Sequence, residues 1–304
     1  MTSTDRADAT ATAGRSRAGA LAAVLLAYLA AAVAAGARGW ELRGHHPLLV
    51  AGAADVGATL VVFAASLLCD NSSVYDPYWS VAPIPIAVFY AWTAHAPSSD
   101  PLRRLVILTL VALWGLRLTW NWTRGWRGLG HEDWRYRDLR ANTGRGYWPV
   151  SLFALHLMPT AMVFLGLLPV WAVCSLGTEP LGWRDLVAAG VCFAAIIIET
   201  RADEQLRQFI DSNPEPGMIL DSGLWASSRH PNYFGEISFW WGLYLFAVAA
   251  ARGAWWTIAG PVAITLLFVG ISIPLMERRM LARRPYYAEH RKHVSALIPW
   301  IRRG

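Results

Sequence analysis

The sequence predicts an all-α, polytopic membrane helix bundle. Three observations carry that expectation. The 304 residues are 55% hydrophobic and only 16% charged, far from the balance of an ordinary soluble domain. Apolar runs near the roughly 20 residues that a helix needs to cross a bilayer recur along the chain. No run shows the sustained period-two alternation of a membrane β-barrel.

In chain order the runs are residues 18–37, 47–69, 78–96, 105–122, 148–177, 186–200, 233–251 and 254–276. The first is alanine-rich, follows Arg15 and Arg17, and at about 20 residues exceeds a usual signal core, so it reads as an uncleaved span. The preceding residues 1–17, rich in Ala, Thr, Ser and Arg, have the composition of a disordered tail. The 186–200 run is short and is expected to continue into the polar residues after it. No linker or composition break marks a second domain.

The net charge of +6 has a topological reading. With the amino terminus inside, the inside segments hold 20 of the 27 Lys and Arg and the outside loops 6, with Arg117 within a span. That is the positive-inside bias, with both termini cytoplasmic. It argues against nucleic acid as a partner, and a basic C-terminal tail can touch anionic lipid. The three cysteines, Cys69, Cys174 and Cys192, have no pairing pattern and the histidines no metal spacing, so no metal site is expected.

The polar motifs crowd onto the side read as cytoplasmic: DNSSVYDPYWS (70–80), GHEDWRYRDLR (130–140), ETRADEQLRQF (199–209), SSRHPNYFGE (227–236) and ERRMLARRPYYAEH (277–290). The placement predicts a site open to the cytosol. Pro231 suits the first turn of a helix entering the membrane, whose free N–H groups favour anions, with Arg229 and His230 beside them. Asn232 and Glu236, four apart, share a helical face, with Tyr233 next to it. A carboxylate just inside a span has to face protein or a watery cavity, so the stretch reads as a ligand site rather than a cap alone. Glu199, Asp203 and Arg207 fall on one stripe. Taken alone they make a solvated salt bridge, and beside the next helix they can bond a ribose or amide. Asp76 before Pro77 reads as a helix cap. Arg117, deep in a span, calls for a carboxylate partner or snorkels to the interface, and Asn121 lies one turn on.

LDSGLWASSRHPNYFGEISFWW (220–241), together with ETRADEQLRQF, NSSVYDPYWS, EDWRYRDLR and the ending PLMERRMLARRPYYAEHRKHVSALIPWI, resembles the steroid 5-alpha-reductase superfamily, in particular a bacterial branch of unknown function. The likeness covers roughly residues 48–301. It implies a seven-span reductase-like bundle, here preceded by one extra span, that holds NADPH from the cytosol and reduces a conjugated carbon–carbon double bond of a lipophilic substrate taken from the bilayer. It implies cofactor contacts from Asn232, Tyr233, Glu236 and Asp203, with Arg207, Arg229, His230 and Glu277 beside them and Arg278 and Arg279 as phosphate candidates. Asp76 falls where the steroid enzymes carry a glutamate that polarises the carbonyl. No tyrosine equivalent stands out in LWGLRLTWNWTRGW, where Trp114, Arg117 and Asn121 lie, so Asp76, Arg117 and Asn121 are the candidate catalytic residues. The same Arg-His-Pro core occurs in isoprenylcysteine carboxyl methyltransferases, which makes an S-adenosylmethionine-dependent enzyme the rival reading. A non-catalytic lipid-binding membrane protein is the third. The resemblance also places the chain in a bacterial inner membrane.

Overall fold

The computed structural model describes residues 17–93 and 100–300. The 1–16 part of the expected tail and the 94–96 end of the expected third span lie outside them. Every regular element among the described residues is helical: α1 (Arg17–Glu41), α2 (Pro47–Leu68), α3 (Pro83–Trp92), α4 (Pro101–Gly125), α5 (Trp134–Thr143), α6 (Met158–Gly166), α7 (Leu168–Leu176), α8 (Trp183–Asp211), α9 (Pro231–Ala250), α10 (Ala259–Leu267), α11 (Ile273–Arg283) and α12 (Tyr287–His293). Four stretches there are long and apolar enough to cross a membrane: Arg17–Glu41, Pro47–Leu68, Trp134–Leu176 and Arg252–Arg283. Short π turns interrupt two of these, at Leu152–Leu157 and Phe268–Ser272. The 186–200 run continues into its polar tail as expected, as one helix to Asp211.

The chain divides into two compact units, residues 1–89 with 118–161, and 90–117 with 162–304. In the first unit α1 packs along α2. Ala20, Val24 and Ala31 form its buried stripe, while Leu25, Leu26, Leu29 and Val33 stay exposed, as on a lipid-facing helix. Tyr28 donates to the Val74 carbonyl at 2.9 Å and meets Tyr78 edge-on at 5.8 Å. Several other polar groups there bond one another: Tyr78 donates to Asp55 at 2.9 Å, Tyr75 bonds Thr160 at 2.8 Å, and Thr160 bonds Thr59 at 2.9 Å. His156 bonds Ser66 at 3.2 Å and the Ser151 carbonyl at 3.0 Å. This matches the need for internal partners where water is absent.

In the second unit α8 and α9 lie against each other at close range. The buried residues of α8, Ala188, Cys192, Ala195, Glu199 and Ala202, step by three or four, and α9 answers with Gly235 and Gly242. A Cβ at Gly235 would stand 2.9 Å from the Ala195 carbonyl oxygen, and one at Gly242 2.4 Å from the Cys192 sulfur. Small residues therefore set the approach of the two backbones. At the start of α4, beside the start of α8, Arg103 is fully buried. It donates to both Asp185 oxygens at 2.6 and 2.9 Å and to the Glu179 and Pro180 carbonyls, each at 2.9 Å.

Candidate ligand-binding site

α9 starts at Pro231, with His230 before it, as the sequence predicts. That start sets Asn232 in the first turn. Its side-chain amide donates to Asp203 Oδ1 at 3.3 Å, and its Oδ1 accepts from the Tyr233 N–H at 3.0 Å. Asp203 Oδ2 accepts from Arg117 Nη1 at 2.9 Å, and Arg117 Nη2 lies 2.6 Å from Glu199 Oε1. The expected carboxylate partner of Arg117 is thus a pair, on successive turns of α8. Arg117 and Asp203 keep 12% and 14% of their side chains exposed, so this polar row reaches the edge of the helix packing. Arg117 Nε has no hydrogen-bond partner among the described residues.

Glu236 departs from the expectation that it presents its carboxylate to a ligand. It is 2% exposed. Its Oε2 accepts from the Trp114 indole at 2.9 Å and its Oε1 from the Trp240 indole at 2.7 Å. Trp114 also stacks on Phe239, with ring planes 6° apart. A carboxylate that far from water needs these donors, so Glu236 is an anchor beneath the row. The indoles were legible only as apolar bulk, because a sequence does not show which way a tryptophan N–H points.

Arg229 is likewise a holding group rather than an open cation. Its Nε donates to Glu277 Oε1 at 2.6 Å, and its Nη1 donates to the carbonyls of Arg291, at 3.2 Å, and of Val294. Glu277 also meets His230 Nε2 at 3.5 Å and Arg291 Nε at 3.0 Å. The C-terminal segment closes the arrangement. Ser295 accepts from the Arg229 N–H at 2.9 Å, Leu297 accepts from the Ser228 hydroxyl at 2.7 Å, and Trp300 N–H donates to Ser227 at 3.1 Å. The Tyr233 ring lies parallel to that of His230 at 5.2 Å and touches Phe268 at 4.8 Å. Arg207 is partly exposed one turn beyond Asp203. On α11, Arg278 is exposed and Arg279 half-buried.

Asp76 and Asn121 belong to the other unit. Asn121 is half-buried on α4. Asp76 does not cap the helix that follows it, which has Pro77 at its cap and no side-chain bond there. Instead Asp76 accepts from the Tyr136 hydroxyl, because the α5 segment brings that ring back over the 72–76 turn. Burial pushes the Asp76 carboxyl up to about 6, against the pull of Arg135 and of the Tyr136 hydroxyl. Tyr136 lies in WRYRD, ten residues beyond the end of LWGLRLTWNWTRGW.

An all-helical chain with membrane-crossing helices, a carboxylate–arginine–amide row and a latched Arg-His-Pro turn defines the class. Within it, the chain belongs to a family described as a protein of unknown function (DUF1295), which matches residues 62–294. The chain is also similar to the uncharacterized protein C594.04c of Schizosaccharomyces pombe, 24% identical over 261 residues, covering 79% of this chain and 76% of that one. No solved structure matches.

Proposed function

We propose that this protein is an NADPH-dependent membrane reductase acting on the conjugated carbon–carbon double bond of a lipophilic enone, possessing a steroid-like or other apolar frame. The observation that carries the reading is the Arg117–Asp203–Asn232 row. It offers a carboxylate and an amide at a partly exposed helix start, with the Arg117 guanidinium holding the carboxylate from behind. That donor set fits a dinucleotide, whose ribose hydroxyls and carboxamide need both donors and acceptors. Asp203, Asn232 and Tyr233 would hold such a cofactor, with Arg207, Arg278 and Arg279 near its charges. Arg117 and Glu236 act through Asp203 and the helix packing.

A bound nicotinamide would supply the reducing electrons. The protein's own task is then to stabilise charge that develops on the carbonyl oxygen, where a preorganised donor lowers the barrier most. For that task the resemblance offers Asp76, whose carboxyl burial pushes up to about 6 and which accepts from the Tyr136 hydroxyl. The charge distribution supports cytoplasmic termini and a site open to the cytosol, and the resemblance adds a seven-plus-one span count and an inner-membrane location.

The test is loss of NADPH absorbance with membrane-soluble enones offered to the purified protein in detergent. Turnover with at least one enone, and none with its saturated analogue, supports the reading. Methyl transfer from S-adenosylmethionine to a lipophilic acceptor, without enone turnover, would replace it.

A further inference from the structure

The C-terminal segment builds a cavity that the reductase reading leaves unused. It measures about 540 Å³ and is lined by Arg229, Arg291, Lys292, His293, Val294, Ser295, Ala296, Ile298 and Trp300. Its polar lining is cationic: four basic-type side chains and no carboxylate. The acids that pair with them do not line it. Glu277 takes Arg229 and Arg291, and Glu289 takes Lys292 at 2.6 Å and His293 at 3.1 Å. Three permanent cations against two carboxylates leave a positive excess. The Arg291 and Lys292 side chains remain 42% and 68% exposed, so their donors can turn to a ligand. The rim is of opposite character. Trp300 is 65% and Ile298 61% exposed, although the backbone carrying them is fixed by bonds to Ser227, Ser228 and Arg229. An exposed tryptophan beside cations matches the headgroup level of a bilayer.

We propose that this cavity is a binding site for an organic phosphate, with Arg291 and Lys292 on the phosphate and Trp300 with Ile298 on the attached apolar or planar part. A guanidinium and an ammonium together fit a phosphate by charge-assisted bonds. Such a phosphate can come from a phospholipid headgroup or from a nucleotide, and the proposal stands whether or not the protein is a reductase.

The full chain is placed in nanodiscs of neutral phosphatidylcholine or of phosphatidylcholine with phosphatidylglycerol, as wild type, as an Arg291→Gln/Lys292→Gln double variant and as Trp300→Ala. Retained phosphatidylglycerol is counted by native mass spectrometry, and NADPH and NADH affinities are measured on the same samples. Selective phosphatidylglycerol retention that falls about tenfold in the double variant, and less in Trp300→Ala, supports the site with a lipid source. NADPH affinity that falls tenfold in the double variant while NADH affinity holds supports it with a nucleotide source. Wild-type behaviour of the folded double variant with both ligands overturns the proposal. Should the double variant fail to fold, Trp300→Ala carries the test, and unchanged retention and affinity there overturn it equally.

Discussion

Two arginines on α4 face carboxylates on α8, and they differ in how completely they are answered. Fourteen residues separate Arg103 from Arg117, and fourteen separate Asp185 from Glu199. That is close to four turns on each helix, about 21 Å, so the two helices run side by side in the same direction. Arg103 is fully buried, matched by one carboxylate and two carbonyls. Arg117 serves two carboxylates, Glu199 and Asp203, keeps an unbonded Nε and reaches the edge of the packing. A complete buried pair fixes a fold. A pair near an edge leaves acceptors, Asp203 foremost, that a ligand can reach. The same α8–α9 region therefore holds a structural end and a candidate binding end.

The largest effect is expected at the complete pair. Arg103→Ala strands Asp185 away from water and should cost about 3–5 kcal/mol, read as a collapse of the thermal transition in detergent. Arg117→Gln should cost clearly less, because Arg117 and Asp203 lie near the edge of the packing and the glutamine amide still offers a donor to a carboxylate. It should nevertheless weaken NADPH binding more than tenfold. Equal stability losses would erase the contrast between the two ends. Gly235→Ala comes next. Its Cβ would meet the Ala195 carbonyl at 2.9 Å, so α9 must shift, at about 1–3 kcal/mol, and cofactor affinity should fall through the displaced Asn232. Unchanged affinity would detach the row from the helix packing.

Much of this was legible in the sequence, and the remainder failed for identifiable reasons. The helical class, the start of α9 at Pro231, the polar extension of α8 and a carboxylate partner for Arg117 all follow from local pattern and charge cost. Spacing places Glu236 on the Asn232 face, whereas its partners in the structure are indoles on α4 and one turn along α9. The sequence sets Arg229 beside the helix start, and nothing local shows that residues 291–295 return to cover it. Asp76 was read as a cap because Pro77 follows it, and only the fold brings Tyr136 to it. Each miss is a long-range polar contact, and a period or a motif does not encode those.

The smallest expected effect lies in the first unit. A carboxyl whose pKa rises on folding stabilises the protein while it is protonated. For Asp76 that contribution is present below about pH 4 and is lost as the pH climbs through about 6. Asp76→Asn should flatten this part of the stability profile between pH 4 and 7, while lowering turnover and leaving NADPH affinity near wild type. Tyr136→Phe should reduce turnover in the same direction. An Asp76→Asn profile that falls as steeply as wild type would show that the carboxyl titrates as an exposed group.

The most direct measurement is the thermal shift given by NADPH, NADH and S-adenosylmethionine to wild type and to Arg117→Gln, side by side. A ligand that binds only the folded state adds about 2.7 kcal/mol at a hundred times its dissociation constant. The account predicts a clear shift of wild type by NADPH, a much smaller one in Arg117→Gln, and none by S-adenosylmethionine. A shift by S-adenosylmethionine alone, or an NADPH shift equal in both proteins, would contradict it.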